Sequence, residues 1–203
     1  MKKLFLLFFV LHFFAYGQSD RRIWTSSMYE QYNSNDFSKL EAANAKINFD
    51  NIDYKLFSAS IFYATNIQRK KYKRREFKYS IALNSAAQAH SEDMVNKKFL
   101  SHKSRIRHKR KLKDRMKIVR ITKGIYGENI ANIFSREKEP TYWSFALQIV
   151  ETWMNSKKGH RESILDTRFK YLGCGVRHYI NKKSTDYNWV KTTQNFSSYS
   201  PKP

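Results

Sequence analysis

One cysteine, Cys174, stands in 203 residues, so no intramolecular disulfide can form. An exported chain of this size must then be held by its core and its hydrogen bonds. A lone thiol among strand-like neighbours reads as a small buried apolar group rather than a nucleophile. Long apolar runs are also missing. The longest, Leu4 to Tyr16, is broken by His12 and is shorter than the roughly 20 residues a membrane-spanning helix needs. No cysteine follows that run, which excludes a lipoprotein anchor there. Acidic residues are scarce between Lys103 and Lys123, where eleven Lys or Arg face the single acid Asp114. No internal repeat is found.

What is present begins with Met-Lys-Lys, the apolar run and Ala15-Tyr16-Gly17. A basic start, an apolar stretch and a small-x-small site make an export signal, with cleavage expected after Gly17. The expected organisation is a signal peptide over 1–17, an N-terminal extension over 18–51, a single domain over 52–197 and a tail over 198–203. The mature chain is expected to be secreted or periplasmic. About 185 residues remain after cleavage, enough for one domain with a real core. Hydrophobic residues at 41% and aromatics at 16% exclude a disordered chain.

The net charge is +22, or +20 once Lys2 and Lys3 leave with the signal. It concentrates in Arg69–Lys78 and Lys103–Lys123. Outside the cytoplasm the available anions are lipid head groups, envelope polysaccharide and extracellular nucleic acid. A solvated basic loop is the plainer meaning of such a run.

Residues 19–50 show no sustained period and read as a short amphipathic piece plus linker. Asp50 or Asn51 can cap a helix that carries Phe57, Ile61 and Ala64 and ends near Lys71. A second helix begins near Tyr79 with Leu83, Ala87, His90 and Met94 on one face; its small Ala86, Ala87 and Ala89 permit close packing. His90 on that face reads as a core histidine. Residues 101–124 read as a long basic loop. Pro140-Thr141 opens the clearest helix, with an apolar stripe from Tyr142 to Met154 that makes Trp143 and Trp153 core residues, and Gly159 is expected to stop it. After a turn at Glu162–Leu165, Tyr171–Ile180 alternates Leu172, Cys174, Val176 and Ile180 against Gly173, Gly175 and Arg177. With Asn188–Phe196 it predicts an antiparallel hairpin. Helices first and strands last predict an α+β fold.

Four pieces then stand out in order: Phe99-Leu-Ser-His102, Gly127-Glu-Asn-Ile-Ala131, Trp153-Met-Asn-Ser-Lys-Lys-Gly-His-Arg161 and Thr193-Gln-Asn-Phe196. With Leu83, Ala86, Ala87 and Met94 ahead of them, and with Asn66-Ile-Gln-Arg69 and Gly173-Cys-Gly-Val176, they resemble the CAP superfamily. This is the SCP-like group of cysteine-rich secretory, antigen 5 and pathogenesis-related proteins, and the chain is similar to its compact bacterial type over about residues 52–197. The resemblance implies an α-β-α sandwich, a small antiparallel sheet between helical layers. It also implies a cleft with two histidines and two glutamates, which in some members binds a divalent metal. His102, Glu128 and His160 match three of the four; Ser156 stands where the second glutamate belongs, and Ser163 where an asparagine is usual.

Two imidazoles and a carboxylate can ligate a zinc-like ion, with His102 and His160 as the candidate metal ligands. They can equally form a hydrogen-bonded cluster in which Glu128 fixes a histidine tautomer. Glu128-Asn129 can also serve to tie a loop to backbone groups, and His102 can cap a helix end. Ser156 and His160, four residues apart, could meet if the helix continued that far, but no Gly-x-Ser-x-Gly elbow supports a serine hydrolase. The cleft set is therefore His102, Glu128, His160, Ser156 and Asn129, with no catalytic residue assigned.

The leading expectation is a non-catalytic binding module for lipid, glycan or another ligand of an anionic envelope surface, with no cofactor required. The alternatives are a metal-assisted hydrolase using His102, Glu128 and His160 with zinc or another divalent metal, and a generic polyanion binder. No specific nucleic acid is expected, since no nucleic-acid motif accompanies the charge.

Overall fold

Asp53 starts the central helix. Its carboxylate accepts the N–H groups of Lys55 and Leu56, two of the donors a helix start leaves unpaired. That makes Asp53 the cap of α4 (Tyr54–Lys71) in place of Asp50 or Asn51. The computed structural model describes residues 24–201, so the expected signal peptide lies outside the described residues. No helix among them is long and apolar enough to cross a membrane.

Three one-turn helices precede α4: α1 (Met28–Gln31), α2 (Ser34–Phe37) and α3 (Glu41–Asn44). Then follow β1 (Lys78–Tyr79), α5 (Ile81–Asn96), α6 (Leu112–Ile118), β2 (Tyr126–Phe134), α7 (Tyr142–Met154), α8 (His160–Leu165), β3 (Tyr171–Tyr179) and β4 (Trp189–Ser197). The sheet order is β1-β3-β4-β2. β3 and β4 form the expected antiparallel hairpin, with Leu172 opposite Phe196 and Val176 opposite Thr192. β2 runs antiparallel along the far side of β4, and the two-residue β1 pairs parallel with β3, so the sheet is mixed at one edge.

Helices cover both faces of this sheet, giving the α-β-α sandwich. On one face Leu172, Cys174 and Val176 join α4 and α7 in the main core, with Trp153, Ile149, Phe145 and Phe57. On the other, α5 lies directly on β3. A Cβ at Gly173 would come within 2.0 Å of the Asn84 nitrogen, and one at Gly175 within 2.2 Å of the Gln88 nitrogen. Backbone touches backbone here, so the two glycines are what let α5 pack so close. Leu83, Ala87, His90 and Met94 are all buried along that helix, as their spacing predicts.

Several local expectations change. Residues 24–47 are not a linker: Trp24, Phe37, Ala43 and Ile47 are buried in the main core, with Phe37 stacked on Tyr63 at 4.3 Å. One-turn helices are too short to carry a readable period, so the sequence of this segment shows none. Residues 101–124 are not all loop, because a 3-10 turn (Arg107–Lys109) and α6 lie within them. Met116 and Ile121 are buried there with Leu83 and Ala86 in a second, smaller core. α7 ends at Met154 with Asn155 as its cap, five residues before Gly159, which instead starts α8 at φ 87°. Ile180 lies just beyond β3 and is 73% exposed, outside the alternation of the strand.

Candidate functional site

α5 ends in a left-handed turn at Lys98, and the buried Lys191 ammonium donates to the carbonyls of Met94 and Phe99. This closes the helix C-terminus and sends Ser101 and His102 toward β2. The His102 ring is more than half exposed, and its Nδ1 donates to Glu128 Oε1 at 2.9 Å. Only a carboxylate oxygen sits opposite that nitrogen, so Nδ1 carries the hydrogen.

Glu128, on β2, is almost wholly buried. Its second oxygen, Oε2, accepts from Arg115 Nη2 at 2.6 Å, in an ion pair buried on both sides. With its amide turned to satisfy its neighbours, Asn195 of β4 also donates to Oε2 at 3.2 Å and accepts the Ala87 N–H at 3.1 Å. Burial alone would push the Glu128 carboxyl up. The hydrogen bond from His102 and the charge of Arg115 outweigh it and hold the group below the ordinary glutamate value. Arg115 reaches further: its Nη1 donates to the carbonyls of His102 and Lys109. One guanidinium thus ties both ends of the 102–109 segment to a strand carboxylate.

His90 is fully buried behind this pair, with Nε2 at hydrogen-bond distance from the Ser101 carbonyl and 3.9 Å from Glu128 Oε1. Burial pushes its pKa down, opposed in part by Glu128. It is the core histidine its helix face predicts.

His160 opens α8 and feels the charge of His102; its pKa is lowered first by burial and then by that neighbour. Asn129, 1% exposed, donates to the His160 carbonyl and to Gln194 Oε1, so it fastens α8 to the sheet. Of the Glu128-Asn129 pair, Asn129 bonds a backbone carbonyl, whereas Glu128 accepts from the side chains of His102 and Arg115. Ser156 sits in the turn after α7, where its Oγ accepts the Lys158 N–H. The helix does not continue to His160, so the geometry for a Ser156–His160 pair is not set up by a shared helix face. Ser163 donates to the Gly159 carbonyl inside α8. His102 caps no helix; its ring is spent on Glu128. Burial pushes the Cys174 thiol well up, which leaves it inert.

The donor set does not fit a catalytic zinc ion. Such a site takes three protein ligands, and among the described residues no group of three His, Cys, Asp or Glu is placed to hold a metal ion. Glu128 has both oxygens engaged, one of them by a cation. Without a second glutamate at 156, the arrangement is a hydrogen-bonded clasp.

Sequence reasoning missed Arg115, because a charge run reads as solvated. A signal was present: Leu112, Arg115, Met116 and Val119 fall at i, i+3, i+4 and i+7, one helical face. Beyond the clasp, a cavity of about 540 Å³ is lined by Lys103, Ser104, Arg105, Arg107 and Arg110. A second, of about 420 Å³, lies over α7 and is lined by residues including Gln68, Arg136, Gln148 and Glu151. His102, Glu128 and His160 line neither.

Comparison with known proteins places this architecture. The profile of the cysteine-rich secretory protein family, CAP, matches residues 62–196. An uncharacterized protein of Bacillus subtilis strain 168, YkwD, is 33% identical over 111 residues, 55% of this chain and 38% of its own length. The uncharacterized membrane protein YlbC of the same organism is 31% identical over 127 residues, 63% of this chain and 32% of its own. The chain therefore spans about a third of the length of these curated relatives. Among solved structures, an extracellular protein containing a SCP domain from Bacillus anthracis superposes with a TM-score of 0.55 at 27% identity. The match covers 72% of this chain and 41% of that one. An outer surface protein from Borrelia burgdorferi has the same fold at a TM-score of 0.51 and 14% identity, covering 76% and 98%.

Proposed function

We propose a binding role, from the premise that this chain belongs to the cysteine-rich secretory protein (CAP) family. In this reading the chain is a non-catalytic module outside the cytoplasm that engages lipid or glycan on an anionic envelope surface. The observation that carries the reading is the state of Glu128. It is the one carboxylate of the cluster, it is buried, and both its oxygens are held, by His102 at 2.9 Å and Arg115 at 2.6 Å. To act itself as general base or metal ligand Glu128 would need an oxygen free to face substrate, and each of its oxygens is engaged within the protein. The metal-assisted hydrolase has no observation in its favour.

Partner chemistry follows from charge. Of the cations between Lys103 and Lys123, Arg115 pairs with Glu128 and Lys109 with Asp93. Most of the others are exposed. Such a face is drawn to anionic head groups or polysaccharide, and the attraction falls as salt rises. Location is supported by two of the similar structures, one called extracellular and one an outer surface protein.

The test is co-sedimentation with phosphatidylglycerol vesicles across a salt series. Binding should weaken steeply between about 0.05 and 0.5 M salt, as the Debye length shrinks. Absent binding, or binding indifferent to salt, overturns the surface reading.

A further inference from the structure

The segment that Arg115 clasps is not a slack loop. The Ser104 N–H donates to the Arg110 carbonyl at 2.9 Å, which closes the segment into a ring. Ser104 is buried, and its Oγ accepts the Ile106 N–H. Arg105 Nη1 donates to the Lys97 carbonyl, and Lys109 pairs with Asp93. Arg115 holds the carbonyls of His102 and Lys109, one at each end.

Around this braced ring Lys103, Arg105, Arg107 and Arg110 line a cavity of about 540 Å³, within the size range of small-molecule sites. Among the described residues none of these four has a carboxylate within ion-pair distance. The two nearby acids are spent, Asp93 on Lys109 and Asp114 on the Lys111 N–H. Four like charges gathered on a preorganised backbone repel one another unless an anion sits between them. Arg105 spends one N–H on the Lys97 carbonyl, and its remaining donors with the guanidinium forks of Arg107 and Arg110 suit the tetrahedral, multiply charged oxygens of a phosphate ester.

The geometry points to a phosphate-ester binding site in the 103–110 ring, anchored to the sheet through Arg115 and Glu128. It rests on the reading of the basic segment as the contact face and adds to it a discrete, saturable site. The ligand is a phosphate monoester or diester, from a lipid head group or from a free phosphorylated molecule.

The experiment titrates the folded chain with inorganic pyrophosphate by calorimetry at about 0.15 M salt, where diffuse attraction is screened beyond a Debye length. One saturable site per chain is expected. In R107E/R110E the affinity should fall by about tenfold or more. Neither side chain has a hydrogen-bond or ion-pair partner among the described residues to lose, so the fold should persist, which circular dichroism checks. K113E/K117E makes the same change in net charge on α6 and should stay within about twofold of the parent, since additive surface changes away from a site are small. Equal losses in the two double variants would mean a diffuse field and overturn the site, as would a titration that never saturates.

Phosphatidylglycerol vesicles separate the sources. Vesicle binding displaced by pyrophosphate assigns the cavity to a lipid head group. Saturable pyrophosphate binding in a chain that ignores vesicles assigns it to a soluble phosphate ester, and then the surface reading fails while the site stands. Vesicle binding without saturable pyrophosphate does the reverse.

Discussion

Arg69–Lys78 and Lys103–Lys123 look alike as sequence, and each buries one arginine to 2% exposure. The two guanidiniums are balanced differently. Arg69 donates to the carbonyls of Arg75, Ile164 and Asp166 and lies 3.8 Å over the Phe77 ring. It bonds dipoles and a π face, and burial, with Arg74 nearby, lowers its pKa to about 10 against the weaker pull of the Asp166 carboxylate. It stays cationic at neutral pH all the same. Arg115 meets a full opposing charge, Glu128, itself buried. Dipoles can be rehydrated when their donor is removed; a carboxylate stranded in the interior cannot be without opening the fold. The first arginine closes a turn against α8, and the second holds a ligand-facing ring against the sheet.

The largest expected effect breaks that contrast. Arg115→Met should cost roughly 3–5 kcal/mol in urea unfolding, because Glu128 loses its partner while still buried. The sign of the pH dependence identifies the cause. In the parent, the folded Glu128 pKa lies below the ordinary 4.5, so its contribution is complete above 4.5 and disappears as pH falls through the folded value. In the variant burial dominates, Glu128 takes up a proton more readily, and the penalty should shrink toward pH 4. A penalty of the same size at pH 4 and pH 7 would remove the ion pair as its source. The double variant R115M/E128Q should recover part of the loss.

Arg69→Met should cost less, about 1–3 kcal/mol, the range for unmet buried hydrogen-bond groups. Its penalty should change little between pH 7 and pH 4, since the nearby Asp166 carboxylate keeps Arg168 as its partner. A loss at Arg69 equal to that at Arg115 would erase the distinction between carbonyl and carboxylate balancing.

The smallest effects on stability belong to exposed members of the two runs. Lys71→Glu and Lys113→Glu should each move stability by no more than about 0.5 kcal/mol. They should differ in vesicle co-sedimentation, with Lys113→Glu weakening binding more. Equal weakening would spread the contact face over both runs.

Much of the fold is legible from residue order. The faces of α4, α5 and α7 follow from apolar spacing, and the β3–β4 hairpin from alternation around Gly173 and Gly175. β2 is not legible. Gly127, Glu128, Asn129 and Asn132 give it no apolar alternation, and its one buried residue is the polar Asn129, while most of the strand is half-covered. It is a strand because β4 offers a full antiparallel ladder from Tyr126 to Phe134. The outer side is then met by side chains: Trp153 donates to the Ile130 carbonyl and Gln148 to that of Phe134.

His102, Glu128, His160 and Asn129 were likewise legible as motif residues, but not their allegiances. The sequence by itself determined that α4, α5, α7 and the β3–β4 hairpin form, that one cysteine allows no intramolecular disulfide, and that the charge is lopsided. Only the tertiary structure decided that Glu128 faces Arg115 rather than an open cleft. Local order sets periodicity, whereas a buried charge takes whichever partner the packing brings within reach. Here α6 folds a cation out of a basic run onto a strand that begins eleven residues after it.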